Sequence, residues 1–446
     1  MTMGTFTQNT AITFTARILS LVLGIATSIT IARLLGPEGK GIYTMAALLP
    51  SLVVTFGNLG IGPATVYYVA RKQYRRQEVL WNNLLLGVVI GTVGVFAGLV
   101  MIIFFRQTIF PDVAPGYLFL ALLMIPINIF FSYVNYILLG TEHIKEFNLI
   151  SILHAALFLI FIVIALWGLK AGVMGALAAG VISWFLVDVA VFFWARRATR
   201  GISFHINPSY IKHALTYGIK AHLGNILSFL NYRIDMFLVN GFLNPAAVGF
   251  YSVGVGLVEK LWLVSQAAST VLFPRVAGET DEQRRKEFTP LVARTVLWVT
   301  ALGALVLVLL ARWIVVLLYS EAFLPSVQPL QALLAGIVAL SAARVLANDI
   351  AGRGRPMLNT YTSALTLATN IALNIAWIPR HGITGAAWAS TVSYSVLFLS
   401  ALFFYCRLSG NSWTKILLPQ RGDWALYWRT GRSLGQWIKA KVRALF

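Results

Sequence analysis

Twelve apolar stretches, each long enough to cross a bilayer as a helix, follow one another along this chain. They run at 11–35, 41–70, 84–105, 117–139, 147–169 and 173–195, and again at 214–242, 248–273, 291–318, 327–351, 358–378 and 384–406. Crossing the hydrocarbon takes about 20 apolar residues at a helical rise of about 1.5 Å each. Composition agrees: 58% of the 446 residues are hydrophobic and 11% are charged, where soluble domains carry about 25% charged residues. The expectation is an all-α polytopic membrane protein with 12 transmembrane helices. Gly60, Gly62, Pro63, Pro126, Gly254 and Gly256 fall inside these stretches. Membrane helices tolerate them because neighbouring helices re-satisfy the backbone.

The turn between the first two stretches, IARLLGPEGKGIY at 31–43, returns as VNGFLNPAAVGFY at 239–251. Pro37, Gly41 and Tyr43 match Pro245, Gly249 and Tyr251 at an offset of 208 residues. Gly172, Gly175, Ala176, Ala179 and Ser183 match Gly382, Gly385, Ala386, Ala389 and Ser393 at an offset of 210. Two matches so far apart point to an internal repeat. The domains expected are an N-terminal six-helix bundle over 1–205, a C-terminal six-helix bundle over 206–406 and a basic amphipathic tail over 407–446.

A net charge of +20 raises nucleic acid as a partner. The placement of the charge argues against it. One alternate set of loops holds 15 Lys and Arg, from Arg71–Arg76 through Arg196, Arg197 and Arg200 to Arg353 and Arg355; the opposite set holds 6, and the tail adds 8. The positive-inside rule reads this as topology, with both termini cytoplasmic in the plasma (inner) membrane. The tail interleaves Trp413, Trp424, Trp428 and Trp437 with Lys and Arg, which suits a segment on the inner leaflet. The first apolar run lacks a basic n-region and reads as a retained helix. Cys406 is the single cysteine, so no internal disulfide or CxxC motif exists.

The six-plus-six repeat carries ARLLGPEGKGIY, the step Tyr232-Arg233-Ile234-Asp235 before NPAAVGFYSVG, the FPRVAGE stretch and HGITGAAWAST. In that order and spacing the chain resembles the Wzx-like oligosaccharide flippases, polysaccharide biosynthesis proteins of the MOP (MATE-like) superfamily. The resemblance covers about residues 10–405. It implies two helix bundles around a V-shaped central cavity, alternating access, and a lipid-linked saccharide as cargo. The partners it implies are a polyprenyl-diphosphate-linked oligosaccharide, membrane lipids, and the polymerase and glycosyltransferases of the same pathway.

A charge at mid-membrane costs about 2.5–3.5 kcal/mol on insertion scales, so each needs a partner, a cavity or a function. The basic candidates for a substrate path are Arg17, Arg233, Lys260 and Arg344, with Lys220 also in a span. A polyprenyl diphosphate needs a polar, positively charged route for its head, and guanidinium groups bind phosphate through paired N–H donors. Arg17 and Arg344 either face such a route or snorkel; Arg233 and Lys260 read as cavity residues, or as members of structural ion pairs such as Arg233 with Glu259. Asp235 is a carboxylate suited to a coupling ion, Na⁺ or H⁺, with Asn370, Asn374 and Thr391 as further oxygen ligands. The other reading of Asp235 is a pair with Arg233. Asp188, Glu259 and Asp349 are the remaining intramembrane acids.

Catalytic and cofactor signatures are absent from the sequence: the six histidines form no HExxH, and no GxSxG, Walker A or DxD-type cluster occurs. The chain therefore reads as a transporter without a cofactor rather than an enzyme. The leading expectation is a flippase for an undecaprenyl-diphosphate-linked oligosaccharide repeat unit in surface polysaccharide biosynthesis. A multidrug cation antiporter of the same superfamily is the alternative, which would want an acidic cavity. A membrane polymerase or glycosyltransferase is the third, and it would want a large external loop or acidic motif.

Overall fold

A computed structural model describes residues 3–279, 281–420 and 422–423. The described residues are helical without strands. In order they form α1 (Met3–Gly57), α2 (Ile61–Ala70), α3 (Arg76–Ile109), α4 (Pro115–Leu122), α5 (Met124–Gly140), α6 (Ile144–Val163) and α7 (Gly172–Thr199). Then come α8 (Pro208–Phe242), α9 (Pro245–Val258), α10 (Trp262–Gly278), α11 (Glu282–Tyr319), α12 (Val327–Gly352), α13 (Pro356–Ser409) and α14 (Trp413–Leu417).

Nine helical segments among the described residues are long and apolar enough to span a membrane. Two of them, α1 and α13, are each a pair of helices joined at a glycine with non-helical backbone, Gly36 and Gly382. The α8 helix, which carries Asn225, Asn231, Arg233 and Asp235, falls outside the nine. Counting both arms of the bent helices and adding α8 is consistent with the twelve crossings expected. The stretch 41–70 is not continuous: α1 ends at Gly57 and α2 begins after Gly60, which sits at φ +69°. The stretch 248–273 is interrupted as well, by a single 3₁₀ turn at Glu259–Leu261.

Contacts divide the chain into two compact units. The first comprises Met1–Val255, Leu310–Leu330 and Thr369–Ala389. Within it the repeat becomes physical. A Cβ on Gly41 would lie 1.6 Å from the Pro245 carbonyl oxygen, and one on Gly249 would lie 2.0 Å from that of Pro37. The two matched turns thus cross backbone to backbone, each glycine against the other turn's proline. The second matched pair agrees in conformation: Gly172 and Gly382 both sit at φ +59°, a left-handed geometry open to glycine. On α3 the buried glycines Gly91, Gly94 and Gly98 face Pro126, Ile125 and Leu122 of the neighbouring helices. Small residues at this spacing let membrane helices approach closely. The outer face of α3 presents Val88, Phe96 and Phe104, each 65% exposed or more, as a lipid-facing surface requires.

The second unit comprises Gly256–Leu309, Gln331–Ala368 and Ser390–Phe446. Its core gathers Leu272, Val296, Leu346, Ile350, Tyr405 and Ile416. The tail's described start is docked here. Arg294 on α11 donates to both carboxylate oxygens of Asp423 and to the Lys415 carbonyl, and Trp298 Nε1 donates to the Leu417 carbonyl at 3.0 Å. The tail's Trp424, Trp428 and Trp437 lie outside the described residues.

Candidate functional site

The four basic candidates occupy different settings. Arg17 is exposed on the first arm of α1. Arg233 is half-buried on α8, with its guanidinium donating to the Tyr232 carbonyl at 2.9 Å. Lys260 is exposed in the 3₁₀ turn before α10. Arg344 is half-buried on α12, and its guanidinium lies 4.2 Å from the ring centroid of Trp262. A guanidinium over an indole face is stabilised by the ring quadrupole, most strongly when desolvated. The side chain of Lys220 lies outside the described residues.

Asp235 is 2% exposed and well supplied with donors: Oδ1 accepts from the Met236 amide at 2.8 Å, and Oδ2 accepts from the Tyr251 hydroxyl at 2.7 Å. Tyr251 belongs to the repeated turn and is fully buried. Asn370 and Asn374 share one face of α13, and the Asn374 amide donates to the Asn370 carbonyl and side-chain oxygen. Asn374 Oδ1 is buried and accepts no hydrogen bond among the described residues. Thr391 gives its hydroxyl to the Ala332 carbonyl at 2.6 Å, where Gly336 lets α13 approach α12.

Of the other acids singled out by charge, Asp188 is buried with Oδ1 accepting no hydrogen bond among the described residues, whereas Asp349 has structural partners. Asp349 accepts from Thr289 at 2.6 Å and from Arg353, which also bridges to Glu282. Two partners escaped the sequence reading, Tyr251 for Asp235 and Trp262 for Arg344. Both are aromatic residues in apolar runs, where nothing local marks them as partners of a charge. Tyr251 was within reach of inference, because it is one of the three repeat-matched positions. The first unit also contains a cavity of about 300 Å³ bordered by Tyr43, Ser51, Asn128 and Trp184 among others.

Fold and composition together define a polytopic α-helical membrane protein. The family model described as "Polysaccharide biosynthesis protein" matches residues 6–278, and the chain belongs to that family. A provisionally named O-antigen transporter of Shigella flexneri is 23% identical over 389 residues, 84% of this chain and 91% of that protein. Among solved structures, the lipid II flippase MurJ in an inward closed conformation aligns with a TM-score of 0.74 at 16% identity, covering 88% of this chain and 87% of its own. An inward-facing multidrug resistance MATE transporter of the MOP superfamily aligns with a TM-score of 0.72 at 16% identity, covering 88% and 94%.

Proposed function

We propose that this protein is a flippase that moves an undecaprenyl-diphosphate-linked oligosaccharide repeat unit from the cytoplasmic to the outer leaflet, for surface polysaccharide assembly. The observation that carries the reading is membership of a polysaccharide biosynthesis family on a fold shared with a lipid II flippase. Intramembrane guanidinium groups, with Arg344 held over Trp262, suit an anionic head group. The two six-helix halves act by alternating access, in the inner membrane with both termini cytoplasmic. Cargo is delivered by glycosyltransferases and consumed by a polymerase. Transport is coupled to Na⁺ or H⁺ through Asp235, supported by its burial, with the unsatisfied Asn374 oxygen as a further ligand candidate.

The test is reconstitution in proteoliposomes with lipid-linked oligosaccharide in one leaflet, followed by its appearance in the other. Wild type is expected to accelerate flipping, and Arg344→Ala to reduce it about tenfold or more while the protein remains inserted. No acceleration by wild type overturns the reading. The cation-antiporter alternative rests on the MATE-like fold; ethidium efflux from the same vesicles, without flipping, would favour it.

A further inference from the structure

The face of the first unit that carries Arg71, Lys72 and Arg75 also carries an aromatic assembly that the flippase reading leaves unused. Gly60 and Gly218 make it possible: a Cβ on Gly218 would lie 2.3 Å from the Leu59 carbonyl oxygen, so α8 rests directly on the start of α2. That crossing brings the rings of α2 and α8 into contact. Tyr217 lies flat on Tyr67, with centroids 4.9 Å apart and planes at 25°. One turn earlier on the same face of α8, His213 lies nearly parallel to Tyr68, at 6.2 Å and 23°. The rings on α2 have further neighbours. Arg71 sits 4.5 Å from the Tyr67 centroid, and Tyr68 is buried edge-on against Tyr74. Tyr74 in turn hydrogen-bonds His213 Nδ1. The outer rings are open: Tyr217 is 41% exposed and His213 is exposed.

The result is a two-ring platform about one helical turn long, ~5.4 Å, bordered by cationic side chains. A pyranose has one face of C–H bonds, apolar and weakly positive, which packs on the negative face of an aromatic ring. Its hydroxyls and a linked phosphate then meet the neighbouring Arg and Lys. Two rings one helical turn apart suit two adjacent sugars. We propose that Tyr217 and His213 form a saccharide-docking platform that receives the sugar portion of the lipid-linked cargo, an inference that rests on the flippase reading.

Native mass spectrometry of the detergent-purified protein tests this. The probe is an equimolar mixture of bare undecaprenyl diphosphate and the lipid-linked saccharides extracted from membranes of the source organism. Wild type is expected to prefer the saccharide-bearing form. The Tyr217→Ala/His213→Ala variant should lower that preference at least tenfold with bare lipid still bound as before, and Tyr217→Phe should keep it. An unchanged preference in the double variant, or an equal loss of both lipids, overturns the platform and leaves the rings as a membrane-interface belt or a structural support. Binding of neither lipid by wild type instead overturns the flippase reading, and the platform with it.

Discussion

A methyl group at Gly41 has no room, because it would meet the Pro245 carbonyl oxygen at 1.6 Å, and Gly249 is its mirror case at Pro37. Gly41→Ala and Gly249→Ala are therefore expected to cost at least the upper end of the roughly 1–3 kcal/mol typical of overpacking. Gly24 and Gly224 meet nothing within 4 Å at the same test, so alanine there should leave the thermal midpoint of the purified protein unchanged or slightly raised. Equal effects at all four sites would show that the crossing is not what the repeat preserves. Asp235 poses a different question. Its two oxygens accept from the Met236 amide and the Tyr251 hydroxyl, and an asparagine oxygen still accepts while the negative charge is lost. Asp235→Asn should keep the fold and remove the dependence of flipping on an imposed Na⁺ or pH gradient in proteoliposomes. Gradient dependence that survives the substitution rules out coupling through this carboxylate.

At the scale of elements, legibility followed locality. The turn at 36–43 was readable because proline and glycine act within a few residues, and the long apolar runs were readable because the bilayer fixes their length. The break at Gly60 was not, since glycine is common inside membrane helices; only the close approach of Gly218 explains it. The 3₁₀ turn at Glu259–Leu261 has no glycine or proline to announce it. The candidate site followed the same division. Charged residues could be counted, but whether Arg344 met an acid, a cavity or an indole depended on packing between distant segments. The docking of α14 is likewise tertiary. Arg294 grips Asp423 with two donors, and both residues are buried. The guanidinium beside it holds the Asp423 carboxyl below the usual carboxylate range. With the folded value depressed, the clamp's stabilisation is fully present above the unfolded value of about 3.9 and is lost as pH falls through the folded one. Asp423→Asn should cost about 1.5–3 kcal/mol, the range for hydrogen bonds to charged groups. The melting difference from wild type should stay constant between about pH 7 and pH 5 and close only in stronger acid. Hydrogen exchange at 411–420 should rise in the variant at neutral pH.

For the whole molecule, the decisive element is α8. It lies outside the nine strongly apolar segments, yet the loop charges make sense only if it crosses the membrane. The helix has the length for it, 35 residues from Pro208 to Phe242, and its buried carboxylate, Asp235, is compensated by donors from the Met236 amide and the Tyr251 hydroxyl. If it crosses, every basic loop falls on one side: Arg71–Arg76, Arg196–Arg200, Arg284–Lys286 and Arg353–Arg355. If it does not, the sidedness of everything after Phe242 inverts, and the basic loops of the two halves face opposite compartments, against the positive-inside rule. Reporter fusions separate the two cases. Fusions after Arg76, Arg200 and Arg285 should read cytoplasmic, and fusions at Lys40, Asp112 and Glu321 should read external. A chain in which α8 stays on one side would give the expected result at Arg76, Arg200, Lys40 and Asp112 and the reverse at Arg285 and Glu321. That pattern would leave the first six crossings standing and remove the second half of the topology.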